Sequence, residues 1–254
     1  MSENDNGNGS HSINIRVILV EPAYDGNIGS VCRAMKNFGF DELVLVNPCQ
    51  MTDFAKAMAS HAQDILSSAR IVDTFEEALD GVDIAVGTTG KPGVTHRNIL
   101  RKPYFTPEEV RAMLEDKSGT VALVFGREDR GLLNEHLEKC DIIMYVPTSG
   151  EYPVMNLSHA AAVCLYVLAD IKGGEFELAS RELVDVLYDN FEQLLDNINY
   201  PEHKRDGTLV MLRRIFGRAM LNEHEFYTLM GVLHDTGLAL VRAEELDTSW
   251  VENN

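Results

Sequence analysis

Little in this chain points to metals, disulfides or membranes. Four cysteines occur among 254 residues, Cys32, Cys49, Cys140 and Cys164, with no C-x-x-C pair and no regular spacing. The eight histidines are scattered and form no H-x-x-x-H pair. No metal is therefore expected, and the cysteines read as small buried hydrophobes of a protein in a reducing cytoplasm. No apolar run approaches the roughly 20 residues that a membrane-spanning helix needs, so no membrane association is expected. The segment Met1 to Ser12 is rich in Asn, Gly and Ser and has neither a basic start nor an apolar stretch. Residues 1–13 read as a disordered tail, not a signal peptide. Three familiar signatures are missing as well: G-x-G-x-x-G after the first strand pattern, G-x-x-x-x-G-K-[ST], and G-x-S-x-G. Their absence excludes the common dinucleotide site, the P-loop and the hydrolase elbow.

Lysine is scarce, 8 against 14 arginines, in a chain of net charge −18. An evenly spread excess of acid repels phosphates, which need cations. The charge is not evenly spread. Between Lys91 and Arg111 five Lys/Arg face two Glu, and between His203 and Arg218 five face the single Asp206. Asp170 to Asp196, by contrast, holds eight acids and two bases. The global figure therefore describes solvated acidic faces, and two basic clusters stand out from it.

What is present in the first 170 residues is an alternation. Short β-branched apolar runs recur at Ile15–Val20, Leu43–Val46, Asp83–Gly87, Val121–Phe125 and Ile142–Val146, with Arg70–Val72 a shorter candidate. Runs of this kind fit strands buried on both faces of a parallel sheet. Helical stretches lie between them: Ile28–Phe38, about 53–67, Phe75–Leu79, Pro107–Leu114, Asn134–Lys139 and Met155–Ala169. Thr106-Pro107-Glu108-Glu109 is a helix start, with an N-cap, a proline at the first position and acids in the first turn. The alternation implies an α/β doubly wound sheet. After Gly173-Gly174 the strand patterns stop. An acidic amphipathic helix over 176–199, a basic helix from about 208 to 218 and a last helix capped by Asn222 form a helical extension. The expected organisation is a tail over 1–13, an α/β domain over 14–170, a linker with the acidic helix over 171–205, and the extension over 206–254.

Ligands of open parallel sheets bind beyond the carboxyl ends of the strands. Four glycine-bearing loops leave those ends here: Glu21–Arg33, Gly87–Gly93, Gly126–Gly131 and Pro147–Ser158. Four such loops on one edge exceed what turn geometry alone requires and mark a nucleotide-like pocket.

The loops carry a resemblance. Gly26-Asn-Ile-Gly-Ser-Val-Cys-Arg-Ala-Met-Lys-Asn-Phe-Gly39, Leu123-Val-Phe-Gly-Arg-Glu-Asp-Arg-Gly-Leu132 and Val154-Met-Asn-Leu-Ser-His-Ala160 resemble, in order, the three motifs of the SpoU/TrmH-like branch of SPOUT RNA 2′-O-methyltransferases. The likeness covers roughly residues 14–170. Leu212-Arg-Arg-Ile-Phe-Gly-Arg218 and its surroundings resemble the C-terminal extension of the TrmJ type within that branch. The resemblance implies a trefoil knot at the end of the sheet, S-adenosylmethionine as cofactor, tRNA as substrate and a homodimer. It implies a cofactor pocket of Thr88, Thr89, Gly90, Gly126, Val146, Val154, Met155 and Asn156, with Asn156 also capping the helix that follows. Arg33 falls at the family's catalytic arginine, and Asn27 and Glu128 brace the site, Asn27 as a cap of the first helix. Because arginine is a poor base, with an ordinary pKa above about 12, Arg33 is read as a positioner gripping a phosphate and polarising the 2′-hydroxyl. Deprotonation by a desolvated arginine is the alternative.

Two departures from the family pattern follow. Val154 stands where a small hydroxyl residue is usual, so only backbone contacts are expected there. The loop Gly90-Lys-Pro-Gly93 is poor in arginine, which moves the expected RNA contacts to Arg97, Arg101 and Lys102. A second RNA-binding face is expected on the basic helix, where Arg214 and Arg218 are four apart with Arg213 at the edge, while Leu209, Leu212, Ile215 and Phe216 pack inward. The expected reaction is methylation of a ribose 2′-hydroxyl of tRNA, at the pyrimidine of position 32. A ribosomal RNA methyltransferase and a non-catalytic RNA-binding protein on the same scaffold stay open as alternatives.

Overall fold

A computed structural model describes residues 12–93 and 98–252. Six parallel strands form the main sheet: β1 (Ile13–Val20), β2 (Glu42–Val46), β3 (Arg70–Val72), β4 (Ile84–Thr88), β5 (Lys117–Phe125) and β6 (Ile142–Met144), in the spatial order β3-β2-β1-β5-β4-β6. The helices between them are α1 (Asp25–Phe38), α2 (Asp53–Ala59), α3 (Gln63–Ser68), α4 (Phe75–Leu79), α5 (Pro107–Leu114) and α6 (Asn134–Glu138). Helix α7 (Leu157–Leu168) follows the sheet. The first strand begins at Ile13, which pairs with Gly119, so the chain is ordered one residue earlier than the tail reading placed it.

Alternation explains the two layers. Val17, Leu19, Ile84, Val86, Leu123, Phe125, Ile142 and Met144 point into one apolar cluster with α1, α5 and α7. Their neighbours Ile18, Val20, Ala85, Ala122, Val124 and Ile143 point into the other, with α4 and α6. Successive side chains leave opposite faces of a strand, so a sheet covered on both sides reads as unbroken apolar runs. Helix α5 begins as its sequence implies: Thr106 and Glu109 form a reciprocal capping box with Pro107 at the first position.

The extension differs from its sequence reading in two places. A two-residue strand, β7 (Phe176–Glu177), pairs in parallel with Lys117 and Ser118, and the Lys117 ammonium lies 4.0 Å from the Phe176 ring centroid. The acidic helix therefore starts later, as α8 (Arg181–Asn197) with Ser180 as its N-cap. Two residues carry no readable period, and the amino end of β5 supplied the pairing partner. The basic helix starts earlier, as α9 (Glu202–Ala219), with Gly207 inside it. Asn222 and Glu225 cap α10 (Glu223–Glu252) reciprocally. No helix of the described residues is long and apolar enough to cross a membrane.

Candidate active site

The carboxyl ends of β4, β5 and β6 lie side by side, because Gly87 pairs with Val124 and Thr88 with Met144. The loops that leave them enclose a cavity of about 240 Å³. Thr88, Thr89 and Gly90 after β4, Gly126 after β5, and Val146, Val154 and Met155 between β6 and α7 all line it. Leu157, Ala160 and Cys164 of α7 close the back. Burial pushes the Cys164 thiol up to about 12, so it presents a neutral apolar wall. The lining thus joins apolar side chains to backbone at strand ends, the composition that suits a nucleoside-like ligand.

Two glycines shape the lining. A Cβ on Gly126 would run into the backbone of Gly131 and Leu132. The loop closes on itself there, with the Gly131 amide donating to the Arg127 carbonyl at 2.7 Å and Gly131 in the left-handed region at φ 69°. A Cβ on Gly90 would sit 3.5 Å from Val154 Cγ1, in space that the cavity uses.

A polar chain runs out from this cavity, starting at Glu128 of its lining. The Glu128 carboxylate accepts from the Ala23 amide and from Asn27 Nδ2, both at 2.8 Å. Asn27 Oδ1 accepts from Asn156 Nδ2 at 3.2 Å, and Asn156 Oδ1 accepts from the Ser158 amide at 2.9 Å, capping α7. The loops after β1, β5 and β6 are thereby tied together by three side chains from distant motifs. Asn27 does not cap α1, as the sequence reading had it: Tyr24 is the N-cap residue and makes no side-chain bond there, while Asn27 lies inside the first turn and its amide group serves Glu128. Asn156 is a cap but not a lining residue.

Arg33 lies elsewhere. It is exposed on α1, does not line the cavity, and makes no ion pair or hydrogen bond with a described residue. Of the expected RNA contacts, Arg101 lines the cavity and donates to Thr89 Oγ1 at 2.7 Å. Lys102 packs its stem near Gly93, and Arg97 lies outside the described residues. Lys91, Arg127 and Arg130 also line the cavity, although sequence reasoning did not single them out. Their signal was their place inside the glycine loops, Lys91 as the one charge of Gly87–Gly93 and Arg127 and Arg130 among the four charges of Gly126–Gly131.

The basic face expected on the extension is not a face. Arg214 is 1% exposed and donates to the carbonyls of Leu100, Leu137 and Cys140. Arg213 is bonded to Asp141 at 3.1 Å and Asp185 at 2.9 Å, and lies over the Tyr188 ring at 4.1 Å. Burial works against its charge, but Asp141, Tyr188 and Asp185 hold its pKa above the ordinary arginine value. Arg218 is half-buried, with Nη1 wholly covered and unpartnered among the described residues. Ile215, expected inside, is exposed. Arg213 and Arg214 pack the extension onto the α/β domain and do not form a phosphate-gripping surface. For Arg213 the physical reason is Asp141, a buried carboxylate at the entry to β6 that accepts also from Arg181 at 2.8 Å; for Arg214 it is the three backbone carbonyls.

A parallel sheet carrying this cavity and these motifs defines a methyltransferase scaffold of the SpoU kind. The model of the SpoU rRNA Methylase family matches residues 14–166, and the chain belongs to that family. Within it, the chain is similar to TrmJ proteins. It is 41% identical over 229 residues to the tRNA (cytidine-2′-O-)-methyltransferase TrmJ of Methanocaldococcus jannaschii, covering 86% of this chain and 97% of that one. The tRNA (cytidine/uridine/adenosine-2′-O-)-methyltransferase TrmJ of Pseudomonas aeruginosa is 34% identical over 258 residues, 91% of this chain and 98% of its own. The crystal structure of TrmJ from Z. mobilis superposes with a TM-score of 0.70 at 31% identity, covering 87% of this chain and 98% of that one.

Proposed function

We propose that this protein transfers a methyl group from S-adenosylmethionine to the ribose 2′-hydroxyl of the pyrimidine at position 32 of tRNA, in the cytoplasm and as a homodimer. The single observation that carries this reading is the cavity at the carboxyl ends of β4, β5 and β6, backed by the Glu128–Asn27–Asn156 chain. Full-length similarity to TrmJ enzymes supports the substrate.

Thr88, Thr89, Gly90, Gly126, Val146, Val154 and Met155 would hold the cofactor, and the cavity they line, with the loop folded tightly at Gly126, fits such a group. When bound, the cofactor supplies an electrophilic methyl group on a sulfonium sulfur. Val146 and Val154 would give an adenine ring apolar contact, and Cys164 stays a neutral thiol beside them. Glu128 holds the loop after β1 against the loop after β5, which fixes the mouth of the cavity. Asn27 and Asn156 relay that constraint to the start of α7.

Arg33 grips the phosphate beside the target ribose and orients the 2′-hydroxyl. Since it does not reach the cavity of its own chain, it serves the partner's cavity across a two-fold axis. The exposed Tyr24, Phe54, Met58 and Tyr166, on or beside α1, α2 and α7, support an apolar contact there. The trefoil knot that the family resemblance implies is part of the same reading.

The test is direct. Purified protein, tRNA transcripts and S-adenosylmethionine should yield a 2′-O-methylated nucleotide at position 32, mapped by nuclease digestion and mass spectrometry. Modification of ribosomal RNA instead, or none by a folded protein, would reject the proposal.

A further inference from the structure

Helix α9 rests on two short segments, one of which carries the cavity-lining Arg101. At one end Gly207 faces the 3-10 turn Ile99–Arg101: a Cβ there would sit 3.2 Å from Ile99 Cδ1. At the other end Gly217 faces the entry to β6, where a Cβ would sit 2.5 Å from the Asp141 carbonyl oxygen. Both glycines let the α9 backbone approach more closely than a side chain allows. Between them Arg214 reaches inward. Its Nη2 donates to the Leu100 carbonyl at 3.3 Å and the Leu137 carbonyl at 2.6 Å, and its Nη1 donates to the Cys140 carbonyl.

This is a costly way to fill space. Burial pulls the Arg214 pKa below the ordinary arginine value, no carboxylate bonds to it, and Nε has no partner among the described residues. A hydrophobic side chain packs such a position at lower cost. What a guanidinium adds is a rigid fork that binds two segments at once. Nη1 holds Cys140 just after α6, and Nη2 is shared between Leu137 in α6 and Leu100. The residue after Leu100 is Arg101, which lines the cavity and donates to Thr89 Oγ1 at 2.7 Å. The Thr89 amide in turn donates to the Met144 carbonyl at the end of β6.

We propose that Arg214 is a positioning residue for the cofactor pocket: by holding the Leu100 carbonyl it sets Arg101 against Thr89, so the helical extension completes the cavity wall. The inference rests on the reading of this cavity as the cofactor site. It makes the extension part of the methyltransferase machinery and not an independent RNA-binding appendage. Linkage adds a consequence. If docking of α9 tightens cofactor binding, the cofactor tightens the docking of α9 by the same factor.

Calorimetry with S-adenosylhomocysteine on wild type, Arg214→Lys, Arg101→Ala and the double variant tests the path. Each single variant should weaken binding by about ten-fold, within the usual range of coupling between sites. The double variant should bind no more weakly than Arg101→Ala alone, because Arg214 acts through Arg101. Losses that multiply in the double variant overturn the proposal. So does a folded Arg214→Lys protein with wild-type affinity and a lower melting temperature, which makes the residue merely structural. Should Arg214→Lys fail to fold, hydrogen exchange on the wild-type protein decides: α9 amides should exchange more slowly when S-adenosylhomocysteine is bound, and unchanged exchange overturns the inference. A wild-type protein that binds no S-adenosylhomocysteine is a different failure, since it removes the cofactor reading itself and this inference with it.

Discussion

Replacing Asp141 with asparagine should destabilise the protein more than any surface change, and the structure gives the size. The carboxylate is 3% exposed and accepts three hydrogen bonds, from the Ala85 amide at 2.8 Å, Arg181 at 2.8 Å and Arg213 at 3.1 Å. Burial by itself disfavours its charge, yet Arg181 and Arg213 hold its pKa below the usual value of 3.8. Removing one partner of a buried ionic cluster costs about 3–5 kcal/mol, because the remaining charges stay buried without compensation. An asparagine oxygen at the Oδ2 position keeps two of the three bonds, from Ala85 and Arg181, and loses the one from Arg213, which places the expected loss at the low end of that scale, near 3 kcal/mol. For a chain of this size each kcal/mol moves the melting temperature by about 2–4 °C, so a drop of roughly 6–12 °C is expected at pH 7. The pH dependence adds a control with a definite sign. The folded pKa is depressed, so the stabilisation is fully present above 3.8 and is lost as pH falls through the lower folded-state value. The gap between wild type and variant, followed by circular dichroism, should therefore close in strong acid. A variant melting within about 2 °C of wild type at pH 7 refutes the reasoning, since it removes less than the about 1 kcal/mol that even one hydrogen bond contributes.

Other outcomes follow from the site. Gly126→Ala forces a methyl group into the backbone of Gly131 and Leu132, so the protein should stay folded but lose S-adenosylmethionine binding by calorimetry. Mixing inactive Arg33→Ala and Gly126→Ala proteins should restore about a quarter of wild-type activity, because half of randomly mixed dimers are hybrids with one intact composite site each. If Arg33 acts within its own chain, no activity returns.

The α/β core was legible from the sequence because strands covered on both faces leave continuous apolar runs, as in Val17–Val20 and Val121–Phe125. The cavity was legible for a related reason. Its residues follow directly on those runs, and seven of the eight expected cofactor residues line it. The bonding among Asn27, Glu128 and Asn156 was not legible, since it joins loops more than a hundred residues apart. Their shared neighbourhood was predictable, but which side chain donates to which depends on the register of β1 against β5.

The extension shows the division most sharply. By itself the sequence determined that a helix over about 208–218 bears Arg213, Arg214 and Arg218, and which of them share a side; its start at Glu202 came from the structure. It did not determine whether that side meets water or protein. Charge in a sequence reads as solvation, because an unpaired buried cation is costly. Tertiary structure reversed that reading by supplying what water otherwise supplies: the Asp141 carboxylate for Arg213 and the carbonyls of Leu100, Leu137 and Cys140 for Arg214. Helical periodicity orders residues around an axis. Only the packing of α9 through Gly207 and Gly217 decided which way the axis turned, and so buried Arg214 and left Ile215 exposed.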